Sequence, residues 1–166
     1  MSDTAVPNPG LSAVDVTRAT AADADTVAGL VREGFRSEAE RYGVEIPPMR
    51  ETAADVIAAL KAGDITLVAR VDGEPVATVR GHLQADGDVM VRRLAVLPSA
   101  RRNGVARQLM RALEASYPDG TRFELFTGID TSPAIALYES LGYVRTRDEE
   151  QVPGVTIVYL EKRRGA

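Results

Sequence analysis

Five arginines, Arg92, Arg93, Arg101, Arg102 and Arg107, fall within sixteen positions of an otherwise acidic chain, on an apolar run closed by Pro98 and leading into Gly104. The run Val91 to Leu97 predicts a strand, and Gly104 to Tyr117 a helix with Val105, Leu109, Met110 and Leu113 on one face. A helix N-terminus presents unsatisfied N–H groups and a partial positive charge, which hold an anion where small residues let it reach the backbone. Gly104 and Ala106 are small enough, and Arg101, Arg102 and Arg107 can add charge-assisted hydrogen bonds to the ~0.3–2 kcal/mol available from the helix dipole. Without a ligand, the same residues are a plain helix entry beside a solvated arginine face. The Gly-Lys-Ser/Thr of a P-loop and the Gly-x-Gly-x-x-Gly of a dinucleotide turn are both missing, so neither nucleotide fold is expected.

Other chemistry is narrowed by what the chain lacks. It has no cysteine, which removes disulfides, thiolate nucleophiles and cysteine-bound metal, and its single histidine, His82, cannot form a His-His metal pair. No metal site is expected. A net charge of −4 argues against nucleic acid as the partner. No stretch approaches the ~18 consecutive apolar residues of a membrane span. With 166 residues, 45% hydrophobic and 27% charged, one globular domain over residues 14–162 is expected, with tails at 1–13 and 163–166. The opening residues lack the pattern of a secretory or transit signal, which makes the cytoplasm the expected compartment.

The elements that must position the basic loop follow from punctuation and periodicity. Val14 to Val16 opens a short strand; Thr20 to Asp23 and Thr52 to Asp55 are capping-box starts for two helices. Alternating runs at Ile65 to Val71, Val76 to Leu83 and Val89 to Leu97, separated by Asp72-Gly73-Glu74-Pro75 and Ala85-Asp86-Gly87, predict an antiparallel meander. After the third helix come a strand at Phe123 to Phe126 and a helix entered at Ser132-Pro133 and stopped by Gly142. Strands at Tyr143 to Arg147 and Val155 to Leu160 complete the chain. The order βααβββαβαββ describes an α+β fold, a mixed and largely antiparallel central sheet flanked by helices.

Two motifs in this frame resemble those of the GCN5-related N-acetyltransferase (GNAT) superfamily. Leu94-Ala95-Val96, Pro98 and Arg101-x-x-Gly104-x-Ala106 are similar to its acetyl-coenzyme A loop, Gln/Arg-x-x-Gly-x-Gly/Ala. Ala134 to Tyr143 is similar to its Ala-x-x-Leu-Tyr-x-x-x-Gly-Phe/Tyr helix and strand. The resemblance extends over about Val14 to Lys162, since the element order also agrees. It implies acetyl-CoA as cosubstrate, with pantetheine lying along Leu94, Ala95 and Val96 in a gap between that strand and Phe123 to Phe126. The pyrophosphate would rest on Arg102, Asn103, Gly104, Val105, Ala106 and Arg107, with Arg101 or Arg102 adding charge. Tyr138 would protonate the departing thiolate, and the amine would attack the thioester directly, which suits a chain without cysteine.

Two departures from the family pattern matter. Thr131, with Ser132 beside it, stands where the family often has asparagine, so the thioester end is held by a hydroxyl. Val89 to Leu97 contains no acid, which leaves the base among Glu33, Glu38, His82, Glu124 and water. The acceptor side, implied to be Glu33 to Arg50 and Arg147 to Val155, carries conflicting signs. Asp148, Glu149 and Glu150 suit a cationic acceptor, whereas Arg92 and Arg93, alternating across their strand, suit an anionic group. The reading that results is acetyl transfer to a small-molecule primary amine. A protein N-terminal or lysine acetyltransferase and a non-catalytic acyl-CoA sensor are the alternatives, and pairing into a homodimer through terminal strands is left open.

Overall fold

The computed structural model describes residues 13–165, so the expected N-terminal tail lies outside the described residues apart from Ala13. Strand β1 (Val14–Arg18) leads into helix α1 (Ala24–Tyr42), and α2 (Ala53–Lys61) follows. The meander is β2 (Ile65–Val71), β3 (Glu74–Leu83) and β4 (Val89–Val96). Then come α3 (Val105–Ala115), β5 (Arg122–Gly128), α4 (Ser132–Ser140), β6 (Val144–Val152) and β7 (Val155–Arg163). The order is the one the sequence predicts.

Local chemistry sets the boundaries. The α2 start is a closed capping box, in which Asp55 N–H donates to Thr52 Oγ1 at 3.2 Å and Thr52 N–H donates to Asp55 Oδ2 at 3.0 Å. The β2–β3 hairpin turns on Asp72 and Gly73 alone, both left-handed with φ of 52° and 80°, the two-residue turn that matches strand twist. Strand β3 therefore begins at Glu74, two residues before the expected Val76.

The sheet has seven strands in the order β1-β2-β3-β4-β5-β7-β6, and every pairing is antiparallel except β4 with β5. One face carries α1 and α2, where Val27, Val31 and Val56 pack with Val68 of β2. The other carries α3 and α4, where Leu109, Met110 and Leu113 meet Leu67, Val79, Val89 and Val91. Both layers are fully buried, and each such side chain stabilises the fold by ~1.5–3 kcal/mol. Strand β7 lies between β5 and β6, so β6 is the sheet edge.

Two expectations change at the C-terminal end. Strand β6, expected to end at Arg147, continues to Val152, so Asp148, Glu149 and Glu150 sit within it and are exposed there. Residues 163–165, expected as a tail, are tied to the α3–β5 turn. Arg164 N–H donates to Thr121 O at 2.8 Å, and the Arg164 side chain pairs with Asp119 at 2.6 Å.

Candidate active site

Parallel strands β4 and β5 pair over only two positions, Val89 with Phe123 and Met90 with Glu124, although β4 continues to Val96 and β5 to Gly128. Beyond Met90 the strands part. The β4 edge from Val91 to Val96 faces a gap in which an extended ligand could take the place of a strand. Within that stretch β4 carries a bulge: Thr78 lies opposite Ala95 but Arg80 opposite Arg92, leaving Arg93 and Leu94 against Val79 alone. Arg93 adopts φ 57°, which an arginine does only where its surroundings hold it. The bulge corrects the expected alternation. Arg92 shares a face with its neighbour Arg80, and Arg93 reaches Glu51 on that same face, so both point toward the α1–α2 side.

Helix α1 crosses the open end of the gap. Gly34 lies so close to β4 that a Cβ there would stand 2.6 Å from Ala95 Cβ, and two turns later a Cβ on Gly128 of β5 would overlap the Tyr42 hydroxyl. Residues i, i+4 and i+8 share a helix face, so Glu38 sits between these two contacts. Its charge acts on Tyr138 of α4, and burial pushes its own carboxyl above the usual range. Arg41 donates to Asp130 O at 3.3 Å, fastening the end of α1 to the β5–α4 loop. Tyr42 Oη and Thr131 Oγ1 are buried there without a hydrogen-bond partner among the described residues. Gly34 and Tyr42 fall within the Glu33 to Arg50 segment that the sequence implies for the acceptor side, but their contacts with β4 and β5 were not foreseen; the signal was their spacing about Glu38 on one helix face.

Tyr138 is buried in the α3–α4 core, its ring 6.0 Å from that of Tyr143 and inclined at 64°. No described residue forms a hydrogen bond with its hydroxyl. Burial, reinforced by the negative charge of Glu38, holds the phenol well above its ordinary pKa, so it remains a proton donor through the neutral range. Tyr143 differs: its hydroxyl donates to Glu114 Oε2 at 3.1 Å, and Lys162 donates to the other oxygen at 2.6 Å.

At the end of β4 the loop turns through Arg102 and Gly104, both left-handed with φ of 69° and 75°. Gly104 caps α3, whose first backbone bond runs from Gln108 N–H to Gly104 O at 3.1 Å, leaving the preceding N–H groups of Val105, Ala106 and Arg107 for other acceptors. The arginines divide. Arg102 is exposed beside Asn103, whereas Arg101 is a strap that donates to Val96 O and Gly34 O, each at 3.2 Å, and Arg107 donates to Ser140 Oγ at 2.7 Å. Leu94 and Val96 pack against the α3 side and Ala95 faces α1. Ser132 opens α4 after Thr131.

On the α1–α2 side, next to the point where the strands part, Phe126 stands 42% exposed, its ring 5.6 Å from Tyr159, with the Arg147 guanidinium 3.7 Å above the Tyr159 ring. Glu124 is held by Arg122 at 3.2 Å and Arg147 at 3.8 Å. His82 Nδ1 lies 2.7 Å from Asp64 Oδ1, in the same cross-strand row as Met90 and Glu124. Glu33 is paired with Arg36 on the exposed side of α1. Of the expected bases, Glu38 is the one whose charge reaches Tyr138.

The family model for the acetyltransferase (GNAT) family matches residues 29–143. No curated protein matches the chain significantly in sequence. Among solved structures, an N-acetyltransferase from Staphylococcus aureus Mu50 is similar at 13% identity and TM-score 0.73, covering 92% of this chain and 99% of its own. The ribosomal-protein-S18-alanine N-acetyltransferase of Escherichia coli is similar at 15% identity and TM-score 0.71, over 93% and 96%. A PaiA N-acetyltransferase from Thermoplasma acidophilum in complex with coenzyme A is similar at 12% identity and TM-score 0.68, over 91% and 99%. At these identities the likeness is one of fold.

Proposed function

The chain belongs to the GNAT acetyltransferase family, an acetyl-CoA-dependent enzyme family, and we propose that it transfers the acetyl group directly to the primary amine of a small molecule. The parting of β4 from β5 beyond Met90 carries this reading. Thr131 Oγ1 and Tyr42 Oη, buried without partners among the described residues at one end of the gap, are the polar groups a pantetheine chain would satisfy there. Leu94, Ala95 and Val96 would line it through their backbone. The N–H groups after Gly104, with Arg102 free in solvent, would take the diphosphate. Arg101 and Arg107, engaged with the protein, shape the loop rather than supply its charge. When bound, acetyl-CoA supplies a thioester carbonyl open to attack.

Tyr138 holds its proton because of burial and Glu38, and donates it toward the sulfur as the thiolate leaves. An aliphatic amine titrates near 10.4, so its deprotonation at neutral pH costs ~4 kcal/mol unless the site assists. Glu38, raised by burial, accepts that proton directly or through water. A small acceptor fits because α1, clipped to Asp130 and packed on Gly128, closes one side of the gap, while β6–β7 bounds the other.

Free-thiol release from acetyl-CoA, followed against a panel of amines and peptides, tests the reading. Turnover with small amines supports it; tight acetyl-CoA binding without thiol release would make the chain a sensor, and turnover with peptides alone would make it a protein acetyltransferase. Glu38→Gln should lower kcat/KM by ~10²-fold and remove an acid limb whose midpoint lies above the ordinary carboxylate range.

A further inference from the structure

The bulge in β4 gathers positive charge that the described residues neutralise only in part. Arg80, 6% exposed, is bidentate to Glu51 at 3.1 and 3.2 Å, and Arg93 Nε lies 3.5 Å from the same carboxylate, outside hydrogen-bond geometry. Arg32 already takes the Glu51 backbone oxygen at 2.6 Å. Arg80 Nε and Arg93 Nε are buried without acceptors among the described residues. Arg92, exposed on the same face, has neither an ion pair nor a hydrogen bond to any described residue. Buried guanidinium groups ordinarily have their N–H donors satisfied. Here one carboxylate is shared by the buried Arg80 and the half-buried Arg93, with Arg92 exposed at the rim.

Resting on the acetyl-transfer reading above, we propose that the acceptor amine carries a carboxylate, held by Arg92 and Arg93 at the β4 bulge. The site adjoins the gap, since Arg92 is two residues beyond Met90, the last β4 residue paired with β5. Phe126 and Tyr159 offer an apolar wall for the rest of the acceptor. Each guanidinium matches a planar carboxylate in two parallel bonds. Glu51 bound to Arg80 displays that geometry within the protein. Glu51, Asp55 near Arg80 and Arg93, and Glu124 at the point of divergence repel a second negative charge, which favours a carboxylate over a phosphate dianion.

The test compares phenylalanine, β-alanine and 4-aminobutyrate with their amides and with the matching aminophosphonates, by thiol release and by calorimetric binding. At least one acid should exceed its amide in kcat/KM by about tenfold or more, and Arg92→Gln, at an exposed and unpaired position, should reduce that preference by about tenfold, chiefly through KM. Amides used as well as every acid, an unchanged preference in Arg92→Gln, or an aminophosphonate preferred by about tenfold would each overturn the proposal. Binding that requires both the carboxylate and Arg92 but yields no thiol would support this site and overturn the transfer reading. Thiol release with neutral amines only would leave the transfer reading standing and overturn the carboxylate site.

Discussion

Glu114 and Glu51 are buried acids on opposite faces of one sheet, and their surroundings differ in a way that separates structure from function. Glu114 is closed: one oxygen receives Lys162, the other the Tyr143 hydroxyl, and the charges balance. Glu51 is oversubscribed, with Arg80 saturating it, Arg93 at its margin and Arg92 unpaired beyond. The two tyrosines near α4 repeat the contrast. Tyr143 is anchored, while Tyr138, with its ring 6.0 Å away, has no hydrogen-bond partner among the described residues. A polar group left unsatisfied inside a fold costs ~1–3 kcal/mol, so the unpaired groups beside the gap are the ones a bound ligand would relieve.

The largest effect should come from removing the shared acid. Glu51→Ala strands Arg80 and Arg93 and should destabilise the fold by ~3–5 kcal/mol in urea unfolding; a loss below ~1 kcal/mol would mean that the cations are already hydrated. Next, Tyr138→Phe should lower kcat by ~10²-fold, about 2.7 kcal/mol in the barrier, with acetyl-CoA affinity retained. In the intact enzyme the alkaline fall of kcat due to Tyr138 should lie above the ordinary tyrosine range, because burial and Glu38 both favour the protonated phenol. An equal loss in Tyr143→Phe would erase the distinction between the rings. A smaller contrast lies in the cations. Lys162→Met should destabilise by ~1–3 kcal/mol because it leaves Glu114 short of a donor, whereas Arg93→Met should fall within ~1 kcal/mol of the parent, relieving repulsion with Arg80. Finally, Tyr143→Phe should lower stability by about 1 kcal/mol, read from the unfolding midpoint, with little change in kcat.

The sequence made local features legible. Capping boxes at Thr20 and Thr52, the Asp72-Gly73 turn, Pro98 and Gly142 all act over a few residues, and the element order follows from them. The loop of Arg101 to Arg107 was readable for the same reason. Through-space features were not. The Glu51–Arg80 pair joins residues 29 apart, and the Gly34 contact with Ala95 spans α1 and β4. The bulge at Arg93 has no glycine or proline to announce it, because tertiary contacts rather than residue preference hold its left-handed backbone. The length of β6 was not legible because Asp148, Glu149 and Glu150 carry no apolar alternation that would extend the strand past Arg147.

The place of β7 has a consequence for biosynthesis. Strand β7 follows both β5 and β6 in the chain yet lies between them in the sheet, and β5 and β6 have no direct pairing without it. Until β7 has been made, the C-terminal half of the sheet exposes the β5 edge and the apolar side chains that Val158 and Leu160 will cover. The C-terminal half of the sheet therefore closes only after β7 has been made, and the turn at Asp119 then clamps the finished strand through Arg164.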